Sequence, residues 1–361
     1  MSDPVTSRAN LLGLERPDLE AFVTGLGNKP FRARQLMSWL YKRAEGNFDA
    51  MTDLARDFRA QLAGVAEVRT PEIVSRHDSA DGTRKWLLRA DGAQAFEMVF
   101  IPETDRGTLC ISSQVGCALD CAFCSTAQQG FNRNLSTAEI VGQVWLANRE
   151  LGFEPGGERR ITNVVFMGMG EPLANEPAVW SSIERLHDDI GISARHLTVS
   201  TVGIVPGIRT LSTRPLPVNL AVSLHAARDE LRDELVPINK RYPLKELMDA
   251  CRDYLRVKNR RISFEWALIA GVNDSARDAS ELAKLALSLR PTAHVNLIPL
   301  NPTPGFPTRG TDAAGVRRFA DRLRDRGVNA TVRRNRGTDI DAACGQLAAG
   351  QPVVLTARRN V

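Results

Sequence analysis

The chain has 361 residues, 43% of them hydrophobic and 25% charged, a balance that excludes a disordered, collagenous or disulfide-scaffold protein. Its length suits about two domains of roughly 150 residues, one of which could be a single barrel of roughly 200 to 250. The net charge of +5 hides a bias, since 40 of the 47 basic residues are arginine and 7 are lysine. Arginine forks suit phosphates and stack on bases, so a nucleic-acid partner is permitted, although a genomic bias in composition explains the count as well.

Residues 1–95 read as an accessory domain. Asp18 to Gly25 and Arg32 to Arg43 carry helical patterns. Lys29, Phe31, Arg32, Arg34 and Trp39 interleave basic and aromatic side chains, as RNA contact or a solvated helix with one apolar face would both require. Alternation of Trp86 and Leu88, then of Phe96, Met98 and Phe100, predicts a small antiparallel β element. Met1 to Asn10 has no apolar signal-peptide core and no stretch reaches 18 consecutive apolar residues, so a soluble, cytoplasmic chain with no membrane partner is expected.

From about Gly107 onward, apolar runs of strand length alternate with helical patterns. Strands are predicted at Thr108 to Ser112, Ile161 to Met167, His196 to Thr201, Val218 to Leu224, Arg261 to Ile269 and Ala293 to Leu297, with a seventh candidate at Asn329 to Arg333. Helices are predicted at Ser136 to Glu150, Glu176 to His187, Leu244 to Lys258, Arg277 to Leu289 and Ala313 to Arg326. Ser136 and Glu139 make a capping box at the first of these. The class is α/β: a partial (βα)6 TIM-like barrel over residues 96–340, with an open doubly wound sheet as the alternative because sequence does not fix strand order. Residues 341–361 form a C-terminal segment. In such barrels function gathers at the carboxyl ends of the strands. Five of the six predicted loops there carry polar or metal-ligating groups: the cysteine cluster, Gly168 to Glu171, Ser200, Ser223 with His225, and Asn301.

Of six cysteines, Cys117, Cys121 and Cys124 make C-x3-C-x2-C, and Cys110 lies seven residues upstream. A disulfide framework is disfavoured by compartment and odd number. A structural zinc wants four closed ligands, and no histidine lies close by in sequence to supply the fourth. Three thiolates on a four-iron cluster leave one iron open for a small-molecule cofactor. The spacing, with Phe123 before the last cysteine, resembles the signature of radical S-adenosylmethionine (radical SAM) enzymes. Val165 to Pro172, with Gly170 and Glu171, resembles the motif that holds the cofactor's amino group; by itself it reads more readily as a glycine turn between strand and helix, and its register after the cysteine motif reverses that preference.

Longer runs narrow the resemblance. Thr108 to Cys117, Val222 to Ala226, Asn296 to Pro299, Asp339 to Leu347 and Pro30 to Ala33 resemble the RlmN family across nearly the whole chain. That resemblance implies a methyltransferase acting on adenine C2 of 23S ribosomal RNA and of transfer RNA, in a barrel of the radical SAM type. The implied cofactors are a 4Fe-4S cluster on Cys117, Cys121 and Cys124 and two molecules of S-adenosylmethionine per turnover. The implied cofactor pocket is Gly170, Glu171, Ser200, Ser223, Leu224, His225 and Asn301. Adenine C2 lies between two ring nitrogens and is too electron-poor for direct displacement, whereas a thiolate accepts a methyl group readily. The resemblance gives the carrier role to Cys344, removal of the C2 proton to Glu97, and resolution through a transient disulfide to Cys110. An external electron donor and a disulfide reductant are then required. Without the resemblance, Cys110 and Cys344 would read as packing residues, and Cys251, inside a predicted helix, reads as core. The alternatives are a Cfr-like C8 methyltransferase and a noncatalytic zinc RNA-binding protein.

Overall fold

The computed structural model describes residues 8–92, 94–303 and 306–348. Ten strands make one sheet: β1 (Glu72–Asp78), β2 (Arg84–Arg89), β3 (Ala95–Pro102), β4 (Gly107–Cys110), β5 (Asn163–Phe166), β6 (Leu197–Thr201), β7 (Asn219–Ser223), β8 (Ile262–Leu268), β9 (His294–Pro299) and β10 (Ala330–Val332). Each strand pairs with its neighbours in chain order; β1 to β4 are antiparallel and β4 to β10 parallel. The sheet ends at β1 and β10, so the barrel is partial. All six strands expected in the barrel are present, and the seventh candidate is the edge strand β10.

Parallel neighbours need crossovers, and helices supply them. They are α1 (Thr137–Glu150), α2 (Glu176–Glu184), α3 (Val205–Thr213), α4 (Asp229–Leu235), α5 (Leu244–Lys258), α6 (Ala276–Leu287) and α7 (Ala313–Arg324). The capping box read at Ser136 is present, with the Ser136 hydroxyl accepting from Glu139 N–H and the Glu139 carboxylate accepting from Ser136 N–H. A second, at Ser275 and Asp278, starts α6.

Two helices were not legible. In α3, Pro206, Gly207 and two threonines depress helix propensity, yet the proline sits in the first turn and Ile208 and Leu211 are buried. In α4, the run Asp229-Glu230-Leu231-Arg232-Asp233-Glu234-Leu235 is too short and too charged to show a period. The predicted helix from Glu176 ends at Glu184 and continues as a π turn to Asp189, while the first predicted strand stops at Cys110. There Ser112 leaves the ladder: its hydroxyl donates to the Glu97 carbonyl, and Gln143 takes its backbone N–H and C=O.

The N-terminal part is helical at Arg16–Gly25, Phe31–Met37 and Arg56–Val65. It packs on the barrel helices, where Trp145 Nε1 donates to the Leu40 carbonyl (2.8 Å) and Arg185 Nη1 to Tyr41 Oη (3.1 Å). Trp86, Leu88, Phe96, Met98 and Phe100 are buried as the alternation predicts. The boundary expected at residue 95 falls at the first residue of β3, which hydrogen-bonds to both β2 and β4. Residues 349–361 of the expected C-terminal segment lie outside the described residues. Among the described residues no helix is long and apolar enough to cross a membrane.

Candidate active site

The carboxyl ends of the parallel strands and the segment 341–348 enclose two adjoining cavities. The first is lined by Cys121, Cys124, Gly170, Glu171, Ser200, Ser223, His225, Asn301 and Cys344, among others. The second, about 720 Å³, descends into the barrel past Cys110, Cys124, Glu265, Arg333 and Cys344. Nearly all the residues read from sequence therefore converge. Cys117 and Leu224 stand behind this lining, and Glu97 lies off it.

The cysteine loop is closed at its base. Gln114–Gly116 pairs with Phe131–Asn134, and Cys117 N–H donates to the Gly130 carbonyl at 2.9 Å. A Cβ on Gly116 would stand 1.9 Å from that carbonyl oxygen, so only glycine fits there. Further on, Cys124 N–H donates to the Cys121 carbonyl and Cys124 opens a single helical turn, Ser125–Gln128. Burial pushes the Cys117 thiol up to about 12 and Cys121 well above its ordinary value. Such thiols ionise when a metal takes the proton's place.

Gly170 has φ 95°, and a Cβ there would lie 2.4 Å from Gln114 Cβ. The glycine turn is thus dictated by close approach of the second loop to the first. Gln114 Oε1 accepts from Glu171 N–H at 2.8 Å. Glu171 Oε1 and Oε2 accept from Leu173 N–H and Val202 N–H, both at 3.0 Å, and burial raises its pKa to about 7 against those bonds. Glu171→Ala leaves two buried N–H groups without acceptors, at about 1–3 kcal/mol each. It should lower Tm and weaken S-adenosylmethionine binding while iron content stays near wild type; unchanged cofactor affinity in equilibrium dialysis would remove Glu171 from the pocket.

Ser200 and Ser223 hydroxyls are 3.4 Å apart at the ends of β6 and β7. His225, at φ 56°, accepts from Ala267 N–H through Nδ1 (3.0 Å), and Phe123 packs edge-on against its ring at 4.7 Å. Burial, with Arg232 nearby, lowers its pKa to about 3, so the ring is a neutral donor through Nε2. Asn273, fully buried, donates to the carbonyls of His225 and Ala267 and fixes that strained turn.

Cys110 and Cys344 are both free thiols. Burial pushes Cys110 up to about 12, with Cys344 adding to the rise and Arg333 opposing it. Cys344 is exposed to the cavity, its carbonyl accepting from Asn301 Nδ2 at 3.1 Å. Its loop is strapped to the cysteine loop: Ser125 N–H donates to the Gly345 carbonyl (2.9 Å) and the Thr126 hydroxyl to the Leu347 carbonyl (2.7 Å). Glu97 lies beneath this strap, ion-paired to Lys85 at 3.2 Å and accepting from Ala348 N–H at 3.0 Å. A thiol held near 12 is almost wholly protonated at neutral pH. Iodoacetamide at pH 7.5 should therefore label Cys344 well ahead of Cys110, with Cys110 labelling rising about tenfold per pH unit; equal rates by peptide mass spectrometry would contradict the burial of Cys110.

Sequence reasoning missed Glu265, Arg333 and Asn273 at the site. Glu265 stands in the middle of β8, accepts from Ser263 and Asn296, and faces Arg333 Nη1 at 3.7 Å. The available signal was a single carboxylate in an apolar run. Arg333 and Arg336, which a sequence reading counts as surface charge, are engaged inward with Glu265 and Asp81, and of residues 333, 334 and 336 only Arg334 is exposed.

Among the described residues no three His, Cys, Asp or Glu side chains are grouped closely enough to chelate a single metal ion. A four-iron cluster asks for something different, one thiolate on each of three irons and a vacant side. The donor set fits: three thiols from one rigid loop, two of them on the wall of a cavity that also holds Glu171, two serine hydroxyls and an imidazole N–H.

Comparison with known proteins agrees. Residues 9–68 match the ribosomal RNA large subunit methyltransferase N-terminal domain and residues 111–283 the radical SAM superfamily. The chain is 51% identical to a dual-specificity RNA methyltransferase RlmN of Stenotrophomonas maltophilia (strain R551-3), across 99% of this chain and 92% of that one. It is 50% identical to that of Xylella fastidiosa (strain Temecula1 / ATCC 700964), across 99% and 91%. A crystal structure of a radical SAM methyltransferase from Sphaerobacter thermophilus, 45% identical, superposes with a TM-score of 0.89 over 94% of this chain and 99% of that one. On a fold and a sequence shared along nearly the whole chain with these relatives, the chain belongs to the RlmN family of radical SAM methyltransferases.

Proposed function

We propose that this chain methylates C2 of an adenine in 23S ribosomal RNA, at the peptidyl transferase centre, and of the adenosine 3′ of the anticodon in transfer RNA. The observation that carries the reading is the pair of free thiols, Cys110 and Cys344, on the wall of one cavity that adjoins the Cys121 and Cys124 loop. Cys117, Cys121 and Cys124 would hold the 4Fe-4S cluster, and Gly170, Glu171, Ser200, Ser223 to His225 and Asn301 would hold S-adenosylmethionine. Together these cofactors supply the methyl group and the hydrogen-atom abstraction that activates it.

The residues of the chain do the rest. Cys344, exposed and beside the Arg333 guanidinium, carries the methyl group as a thioether and presents its carbon to C2. Once that carbon is bonded to C2 and the C2 proton is lost, the Cys110 thiolate attacks the Cys344 sulfur; the S–C bond breaks with its electron pair on the carbon, which takes up a proton to become the methyl group, and a Cys110–Cys344 disulfide is left for an external reductant. Glu97 takes the C2 proton; Lys85 and the Ala348 N–H now occupy its oxygens, so this step needs the 341–348 strap to shift. The base enters unstacked from its loop. The helical unit at residues 9–68 contributes RNA contacts, with Phe31 exposed and the Arg32 guanidinium 4.8 Å over its ring.

Anaerobic turnover with methyl-labelled S-adenosylmethionine and both RNA classes tests the reading. 2-Methyladenosine is expected by mass spectrometry; 8-methyladenosine would move the chain to C8 chemistry, and zinc without iron in anaerobically purified protein would remove the radical route. RNA affinity should fall steeply with salt as phosphate counterions are released, with a log–log slope of about −0.7 per phosphate contact on single strands. A flat slope would place recognition in base stacking.

A further inference from the structure

Arg232, in the middle of α4, is fully buried and lines neither cavity. Its guanidinium donates from Nε to the Leu224 carbonyl (3.1 Å), from Nη1 to Asn239 Oδ1 (2.8 Å), and from Nη2 to the carbonyls of Val202 and Ser223. Three of those acceptors are backbone groups at the ends of β6 and β7, the two strands that deliver Ser200, Ser223 and His225 to the cofactor cavity. Val202 is also the residue whose N–H binds Glu171. One side chain thus sets the separation of two cofactor loops.

The hydrogen bonds are satisfied, but the charge is not. Among the described residues no carboxylate lies within ion-pairing distance of Arg232, and Asp229 and Asp233 turn instead to Asn239. A buried cation without a counter-ion is a poor choice for stability alone. Yet α4 packs directly on the cysteine loop: Ala122 N–H donates to the Leu235 carbonyl at 3.1 Å, and Cys121, Phe123, Leu235 and Val236 share one apolar cluster. Burial lowers the pKa of Arg232 to about 10, still well above neutral, so the guanidinium beneath the cysteine loop stays charged.

We propose that Arg232 is a positioning residue with two separable parts: its fork fixes the β6 and β7 loops of the cofactor pocket, and its charge is the buried counter-ion of the cluster held by Cys117, Cys121 and Cys124. The inference rests on the reading of those thiols as cluster ligands. Three thiolates make the ligated cluster anionic, and one-electron reduction adds a further negative charge. A fixed cation in a low-dielectric wall favours the reduced form and raises the midpoint potential.

The test compares Arg232→Lys and Arg232→Met in anaerobically reconstituted full-length protein, with redox titration followed by EPR and equilibrium dialysis of S-adenosylmethionine. Arg232→Met should hold full iron but show a reduced-to-oxidised ratio about tenfold lower at fixed potential, a downward shift of about 59 mV for one electron, together with weaker cofactor binding. Arg232→Lys keeps the charge and loses the fork, so its potential should stay near wild type while cofactor affinity falls. If the Met variant does not fold, Arg232→Gln, which keeps a donor for the Leu224 carbonyl, takes its place. An iron-loaded neutral variant with wild-type potential overturns the counter-ion role, and unchanged cofactor affinity in both variants overturns the clamp. Absence of iron from the wild-type protein would instead overturn the ligand reading beneath it.

Discussion

Cys344→Ala is expected to yield neither methylated protein nor any RNA adduct, with product falling to background, because the proposed methyl carrier is gone. Cys110→Ala should fail differently. The proposed carrier, its strap and the proposed cofactor pocket are untouched, so C2 should become bonded to the Cys344 methylene, with no thiol left to attack the Cys344 sulfur. Protein covalently attached to RNA should accumulate, visible as a species that survives denaturing electrophoresis and disappears with nuclease. A packing role would treat the two residues alike, and so would zinc binding. Finding no adduct on a competent RNA, or the same adduct in Cys344→Ala, would reverse the assignment.

The second large effect concerns the cysteine loop. Cys117→Ala, Cys121→Ala and Cys124→Ala should each lose iron and all deoxyadenosine formation, since two thiolates hold a cluster poorly. The fold should survive, because the loop is closed by backbone bonds from Cys117 to Gly130, Ala122 to Leu235 and Ser125 to Gly345, and none of these uses a sulfur. Circular dichroism near wild type with no absorbance of an iron–sulfur chromophore is the expected pairing; an intact four-iron spectrum in any of the three would release that cysteine from the ligand set.

What could be read without coordinates has a physical pattern. The barrel strands are buried on both faces and show as apolar runs, and metal ligands confined to one short loop must keep a fixed spacing, so both are written locally. The C-terminal strap and Glu265 are not. Glu265 is one charge in an apolar strand, and its meaning comes from Arg333, which follows the edge strand β10 two strands away. Arg232 sits among the acidic Asp229, Glu230, Asp233 and Glu234 of α4, a run with no visible period, whereas the fold turns it inward to the ends of two other strands. Glu97 was placed by resemblance, and its burial under Ala348 depends on a segment far away in the chain. Likewise, the arginines at 333 and 336 count as surface charge until Glu265 and Asp81 turn them inward.

The sheet has another side to it, visible only when the chain is thought of as emerging from the ribosome end first. Every strand pairs with the one made just before it, so each can dock as soon as it is synthesised, without waiting for a distant partner. The loop of Cys117, Cys121 and Cys124 follows the fourth of the ten strands, whereas the strap that carries Cys344 bonds to residues 221 positions earlier, as in the contact between Thr126 and Leu347. The cysteine loop can therefore be shaped while its ceiling is still unmade, under an open roof that residues 341–348 close last.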